Sequence, residues 1–233
     1  MESVVKESAQ RHDGIKLLTA AFFGMGIVEV IAEYFSNTTL VYITKPLLIP
    51  ILIVLYLKTI AKRNYLYLFA LLFSWIANIF FISTAFQSIV IGAVFFLLHR
   101  LLMIVIVLKN IRFPSIFPMV VGCVPFLFIY LYLVNLTYDD LGNGLIIFII
   151  QCVVISCLGG IAVGNYILRS DKPSSLLLIS TLLFAVTQFV FVLRLYYTSE
   201  PIFQPVAMLL FVLAQFIFYR FLVTSETSPQ DEN

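Results

Sequence analysis

The chain has 233 residues, of which 62% are hydrophobic and only 11% are charged. Its 14 basic and 12 acidic side chains are too few to cover the surface of a water-soluble body of 26.5 kDa. The composition therefore excludes soluble enzymes, nucleic-acid-binding proteins and secreted disulfide scaffolds, and it predicts an all-α polytopic membrane protein.

Eight apolar runs are long enough to be transmembrane helices, each of which needs about 20 mostly apolar residues. The run from 65 to 108 has only a weak break near 84–88, and we divide it there because one helix of that length would far exceed a bilayer. The runs are continuously apolar, which is not the alternating pattern of a β-barrel. In chain order the spans are roughly 15–35, 40–57, 65–86, 88–108, 115–135, 144–167, 174–198 and 202–223.

Basic residues occur in alternate loops, and the positive-inside rule places those loops and both termini in the cytoplasm. We expect a cytoplasmic amino-terminal segment (1–14), an eight-helix membrane domain (15–223) and a disordered polar tail (224–233). The protein is then an integral, multi-pass membrane protein, in the plasma (inner) membrane if its host is a bacterium. The basic loops contain Lys58, Lys62, Arg63, Lys109, Arg112, Arg169 and Lys172, whereas the other loops contain Asp139, Asp140 and Glu200.

The three cysteines, Cys123, Cys152 and Cys157, lie inside apolar runs, and we interpret them as free packing thiols. The chain has no HExxH, Cys/His cluster, GxSxG elbow or Gly-rich phosphate loop. We therefore expect neither a metal nor a cofactor.

Ionisable side chains within membrane helices are costly, and by default they indicate function. Glu29 and Glu33 are spaced i, i+4, so they share one face of the first span. His99 lies near mid-depth, and the adjacent Arg100 needs an anionic or carbonyl partner at that depth. For each polar residue the alternative is an interfacial anchor or an interhelical hydrogen bond. The outer half of the predicted bundle also contains Lys45, Asn78, Gln188 and Arg194, with Gln151 slightly outside mid-depth.

Five pieces of the chain resemble, in order and spacing, the YhhN family of lysoplasmalogenases over about 40–220. The resemblance implies a compact eight-span fold. It also implies a Lys-Pro at the start of span 2 (Lys45), a His in span 4 (His99) and an Ala-Gln in the last span (Gln215). The pieces are TyrIleThrLysProLeu (42–47), LeuLeuPheSerTrpIleAlaAsn (71–78), GlyAlaValPhePheLeuLeuHis (92–99), SerThrLeuLeuPheAlaValThrGln (180–188) and LeuAlaGlnPheIle (213–217).

Two positions depart from the family pattern. The Gly-Asp of span 3 is Ala77-Asn78 here, and the Ser-Asp of span 7 is Thr187-Gln188. The family's presumed catalytic aspartates have therefore both become amides. Family members cleave the vinyl ether of a lysoplasmalogen to a fatty aldehyde and a glycerophospho-base. That reaction needs an acid to protonate the vinyl carbon and a base to activate water. Amides can hydrogen-bond a substrate but cannot shuttle a proton near neutral pH.

Three hypotheses follow from the resemblance and its departures. In the first, the chain is still an ether-lipid hydrolase, impaired or not, with Glu29 or Glu33 supplying the carboxylate and His99 assisting. In the second, it is a catalytically silent relative that binds a single-chain lipid. In the third, the polar outer half is a vestibule for transport of a small solute.

The lipid-binding hypothesis assigns a role to each polar group. Lys45 and Arg194 would hold the phosphate, and Asn78 and Gln188 would hold the glycerol hydroxyls. Gln215 is a further substrate-binding candidate by resemblance. The expected partners are a single-chain, lysophospholipid-like lipid and the bilayer, with no nucleic acid; the oligomeric state stays open.

Overall fold

The structure is a computed structural model, and the part of the chain that it describes contains eight α-helices and one short 3₁₀ turn. That part comprises residues 2–60, 63–111, 115–198 and 200–227. It contains no strand, which confirms the all-α class. The helices are α1 (Glu2–Tyr34), α2 (Thr38–Thr59), α3 (Tyr65–Phe80), α4 (Phe86–Asn110), α5 (Ile116–Leu141), α6 (Leu145–Arg169), α7 (Lys172–Tyr196) and α8 (Phe203–Thr227), with the 3₁₀ turn at Gly142–Gly144.

Polar side chains fix where three of the helices begin. Asn37 accepts a hydrogen bond from the backbone N–H of Leu40 at the start of α2, over 3.2 Å. Asn64 caps α3 by accepting from the N–H of Leu66. Asp171 caps α7, which also has a proline in its first turn. Each cap satisfies backbone donors that a helix start leaves unpaired, so the polar breaks in the sequence become tight turns.

The predicted division of the run 65–108 is confirmed, since α3 ends at Phe80 and α4 begins at Phe86. The helical bounds differ from the predictions at both ends of the chain. α1 begins at Glu2, so helix extends through most of the predicted separate segment 1–14. α8 continues past the predicted boundary at 223 to Thr227. Lys62, Arg112 and residues 228–233 of the predicted tail lie outside the described residues.

α5 and α6 form an antiparallel pair that packs through glycines. A Cβ added at Gly122 would lie 2.9 Å from Val163, and one added at Gly159 would lie 2.6 Å from Phe126. The 3₁₀ turn between the two helices contains Gly142 at φ +46°, a left-handed conformation that glycine adopts without steric cost.

The helices are arranged as a ring with one helix outside it. α8 contacts both α7 and α1, and the sequence of contacts continues through α2, α3, α4 and α6 back to α7. α5 packs against α6 and α7 from outside. Because short turns make successive helices antiparallel, the turns after α1, α3, α5 and α7 lie together. We call this the acidic end, after Asp139, Asp140 and Glu200.

Six segments of the described chain are long and apolar enough to cross a membrane, and one of them, Ile116–Arg169, contains both α5 and α6. Tyr65–Phe80 is a shorter apolar helix. Large apolar side chains cover the outside of α5, where Phe117 is 78% exposed and Phe128 is 73% exposed. Such a surface is unfavourable in water and suits hydrocarbon, so these helices fit a multi-pass membrane protein. The three cysteines are free, as predicted, but only Cys152 is buried in the packing, and Cys157 is exposed.

Candidate functional site

A polar cavity of about 290 Å³ opens at the acidic end between α1, α2, α7 and α8. Its wall includes two cationic side chains, Lys45 and Arg194, and two acidic ones, Glu33 and Glu200. Within the part of the chain that the structure describes, Arg194 forms no ion pair, so its guanidinium is available to an anion. Uncharged residues complete the wall: Ser36, Thr38, Val41, Tyr42, Phe81, Ile82, Thr84, Pro201 and Gln204.

Lys45 forms ion pairs with two carboxylates of α1. Glu33 also lines the cavity, whereas Glu29 does not. The Lys45 Nζ lies 2.5 Å from Glu33 Oε1 and 3.7 Å from Glu29 Oε1. Glu33 Oε1 also accepts a hydrogen bond from Gln204 Nε2 over 3.0 Å, and the Thr44 hydroxyl donates to Glu29. Glu29 is completely buried, whereas the Glu33 side chain is 12% exposed. One cation therefore faces two carboxyl groups of the same helix face.

An apolar cavity of about 100 Å³ lies next to the polar one, between α3, α4, α6, α7 and α8. Three amides interrupt its wall: Asn78, Gln151 and Gln188. Gln151 and Gln188 are the wall residues of α6 and α7 that lie farthest from the acidic end. The amides therefore sit at the deep end of the cavity. The remaining wall residues are Phe81, Ile89, Val90, Ala93, Phe96, Leu141, Gly144, Ile147, Phe148, Phe191, Val192, Leu195, Tyr196 and Phe211.

The three amides are held in different ways. Asn78 Nδ2 donates to the carbonyl of Ser74 over 2.8 Å, and Gln151 Nε2 donates to the carbonyl of Ala93 over 2.9 Å. Gln188 is a hydrogen-bond acceptor instead, because its Oε1 accepts from Arg100 Nη1. Asn78 and Gln151 are thus held through their N–H groups, whereas Gln188 is held through its oxygen and leaves Nε2 without a partner.

Phe81 lies at the junction of the two cavities, since its side chain lines both. The ring packs against Phe191, with centroids 4.9 Å apart, and edge-on to Phe96. A Cβ at Gly92 would lie 2.7 Å from Phe81 Cε1, so the glycine makes room for the ring. Phe81 is thus the described wall residue that the charged and the apolar cavity have in common.

His99 and Gln215 meet at mid-depth and line neither cavity. His99 is completely buried, and its Nδ1 lies 2.8 Å from the carbonyl oxygen of Ala70. Gln215 Nε2 donates to Ser74 Oγ over 3.0 Å and lies 3.5 Å from His99 Nε2. A carbonyl can only accept, so Nδ1 carries the hydrogen and Nε2 faces a donor, as in a neutral imidazole. His99 thus joins α3, α4 and α8 through hydrogen bonds.

The structure brings together some of the residues that the sequence singled out and separates others. Glu33, Lys45 and Arg194 share the polar cavity, and Asn78 and Gln188 share the apolar one. His99 is in neither group. Within the described residues, no cluster of three or more His, Cys, Asp or Glu side chains is arranged to hold a metal ion.

Arg100 is the residue near the site whose role sequence reasoning left open. It is 1% exposed, with its guanidinium carbon 4.6 Å from the centre of the Phe96 ring. The expectation that it needs an anionic or carbonyl partner is confirmed by its hydrogen bond to the side-chain carbonyl of Gln188. The only signal in the sequence was a cation within a membrane helix, and nothing indicated which of many amides was its partner.

Apolar helices compatible with a multi-pass membrane protein thus enclose buried charges and two adjoining cavities, one polar and one apolar, at one end. The model of the YhhN family matches residues 40–222. The chain therefore belongs to the YhhN family, which is known for lysoplasmalogenase-like proteins. Neither the comparison with curated proteins nor that with solved structures found a match. The matched region contains every candidate site residue except Glu29 and Glu33.

Proposed function

We propose that this protein binds lysoplasmalogen-type lipids, which are single-chain ether phospholipids, and hydrolyses them slowly or not at all. One observation carries this proposal: a charged cavity and an apolar cavity meet at a single side chain, Phe81. An amphiphile with one chain needs such a pair of environments side by side.

The polar cavity suits the headgroup of such a lipid. Arg194 is a fork-shaped donor without an ion-pair partner among the described residues, and guanidinium groups bind phosphate in a bidentate way. Lys45 adds positive charge, although Glu33 already neutralises part of it. Glu33 and Glu200 would face the cationic base of a zwitterionic headgroup.

The apolar cavity suits the ether linkage and the first part of the chain. Asn78 and Gln151 offer acceptor oxygens for a glycerol hydroxyl, and Gln188 offers a donor for an ether oxygen. The surrounding wall is aliphatic and aromatic, as a hydrocarbon chain requires.

Slow hydrolysis follows from the chemistry of the same wall. None of the described residues that line the apolar cavity is acidic. Loss of a general acid or base typically lowers a rate by about 10²–10⁴-fold. Two amides at the positions of the family's presumed aspartates leave a ligand bound without a proton donor or acceptor.

Hydrolysis at the full rate is the second candidate, because Glu33 reaches the wall of the polar cavity. In that case a carboxylate of α1 replaces the two absent aspartates, without His99, which lines neither cavity. Glu33→Gln and Glu29→Gln would then abolish aldehyde release without abolishing lipid binding.

We also propose that all eight helices cross the membrane, with both termini in the cytoplasm and the acidic end outside. The 16 residues of α3 rise about 24 Å at 1.5 Å per residue, which is short for a bilayer core of about 30 Å. Local thinning of the bilayer can accommodate that difference at modest cost.

Lipid binding can be tested on the purified full chain in detergent by measuring ligand-induced thermal stabilisation. We expect a lysoplasmalogen to stabilise the protein and a diacyl phospholipid to have little effect. Arg194→Gln should weaken lysoplasmalogen binding by about tenfold, the value of a hydrogen bond to a charged group. The matched control is Arg220→Gln, which removes an exposed arginine from the opposite end of α8. Equal affinity in both variants, or no stabilisation of the parent, would contradict the proposal.

A further inference from the structure

Arg100 is a buried cation without a buried anion to balance it. It is 1% exposed, and its Nε and Nη2 have no hydrogen-bond partner. Within the described residues no carboxylate lies in ion-pair range of it. An isolated charge at this depth is strongly unfavourable, and proteins normally balance it with a counter-charge.

Gln188 connects this cation to the apolar cavity. Arg100 can only donate, so the Gln188 amide must turn its oxygen toward Arg100 and its nitrogen away from it. Gln188 lines the cavity, is only 5% exposed, and its Nε2 has no partner. Three buried donor atoms, two on Arg100 and one on a residue of the cavity wall, thus lack an acceptor.

We propose that the deep end of the apolar cavity binds the anionic head of a single-chain amphiphile, a carboxylate or a phosphate monoester. The anionic oxygen accepts the hydrogen bond of Gln188 Nε2. Arg100 does not line the cavity; it is a positioning residue that fixes the direction of the Gln188 amide and supplies positive charge through it. In a medium of low dielectric constant, the charge of Arg100 still attracts an anion that is separated from it by the Gln188 amide.

The charge distribution distinguishes this cavity from the polar one. The polar cavity contains two acidic and two cationic side chains, which suits a zwitterion. The apolar cavity has no acidic residue among its described wall residues, and a buried guanidinium contacts one of them. The two cavities therefore select ligands of different charge, and the inference does not depend on lysoplasmalogen binding.

The test compares three probes with the same chain: dodecanoate, dodecyl phosphate and dodecanol. Dissociation constants are measured by competition with a fluorescent fatty acid on the purified full chain, at a pH at which both acids are ionised. We expect one or both anionic probes to bind about tenfold more tightly than dodecanol, since a hydrogen bond to a charged group supplies that much. The anionic probe that binds more tightly shows whether the preferred head is a carboxylate or a phosphate monoester.

Two substitutions at one position assign the preference to Gln188. Gln188→Glu gives Arg100 an internal counter-ion, and Gln188→Met removes the donor without adding charge. Both should abolish the preference for anions over dodecanol, because neither side chain offers the amide donor that the anion needs. A purely structural role of Gln188 would change all three affinities together.

Three outcomes would overturn the proposal: equal binding of the three probes by the parent, a preference that survives Gln188→Glu, or a preference that only Arg194→Gln abolishes. The last result would place the anion in the polar cavity. Lysoplasmalogen binding is measured separately on the parent chain and on Arg194→Gln, so its failure in the parent would contradict the proposed function alone.

Discussion

Gln151 and Gln188 are the same residue type in the wall of one cavity, yet their surroundings have opposite polarity. Gln151 donates to a backbone carbonyl, whereas Gln188 accepts from a buried guanidinium. The same chemical change at the two positions should therefore have opposite effects on stability.

We predict that Gln188→Glu raises the free energy of unfolding by about 1.5–3 kcal/mol, since a carboxylate makes a stronger bond to Arg100 than an amide does. Gln151→Glu should lower it, because it sets a carboxylate against the carbonyl of Ala93. Thermal unfolding in detergent measures both. A fall in stability on Gln188→Glu would contradict the interpretation of Arg100 as uncompensated.

Lys45 provides a second prediction at the scale of the residue. Lys45→Met leaves Glu29 and Glu33 without their cation, and removal of one partner from a buried pair costs about 3–5 kcal/mol. Adding Glu33→Gln to that variant should restore part of the stability. Lys109→Met, which removes an exposed lysine, is the control and should change stability by less than about 0.5 kcal/mol. Equal losses from the two lysine variants would show that the cluster is not coupled.

Sequence reasoning found the members of the Lys45 cluster but not the partner of Arg100. The i, i+4 spacing put Glu29 and Glu33 on one face of a helix, and Lys45 follows after one turn, so local rules were sufficient. The contact between Arg100 and Gln188 joins residues 88 positions apart and depends on how α4 and α7 pack. That His99 lies apart from the carboxylates could not be predicted either. The depth of a residue in the membrane does not specify the direction in which its side chain points.

At the scale of the element, caps and polar breaks made most helix ends predictable. The packing partner of the glycines of α6 could not be predicted. GlyGly at 159–160 could have packed helices within one chain or between two copies. In the structure it packs against α5, where a Cβ at Gly160 would lie 2.5 Å from the backbone oxygen of Met119. A helix start at Glu2 also went unforeseen, because polar residues before the apolar run gave no signal of helix.

Gly160→Ala should therefore destabilise the protein by about 1–3 kcal/mol, since the backbone of α5 has to move to admit a methyl group. Gly24→Ala is the matched control, because no heavy atom lies within 4 Å of the Cβ it would add. That control should be neutral or stabilising by up to about 1 kcal/mol, the gain in helix propensity over glycine. Similar effects of the two substitutions on thermal unfolding would contradict the close α5–α6 contact.

At the scale of the whole molecule, alternate connections place both cavities at the acidic end, so the side of the membrane on which that end lies decides where a lipid enters. We predict that Asp140→Cys reacts with an impermeant maleimide on intact cells and that Lys172→Cys does so only after lysis. Both positions are exposed, and the background chain has its three native cysteines replaced by alanine. The reverse pattern would place the acidic end in the cytoplasm and contradict the positive-inside assignment.

The most direct test of the central claim, a lipid site that has lost its acid and base, is aldehyde release from lysoplasmalogen by the purified chain. It is measured beside an Asn78→Asp, Gln188→Asp double variant, with binding measured on both. We predict that the parent binds the lipid with little aldehyde release and that the double variant releases aldehyde at least about 10²-fold faster. Full-rate release by the parent, abolished by Glu29→Gln or Glu33→Gln, would contradict it and assign the chemistry to α1.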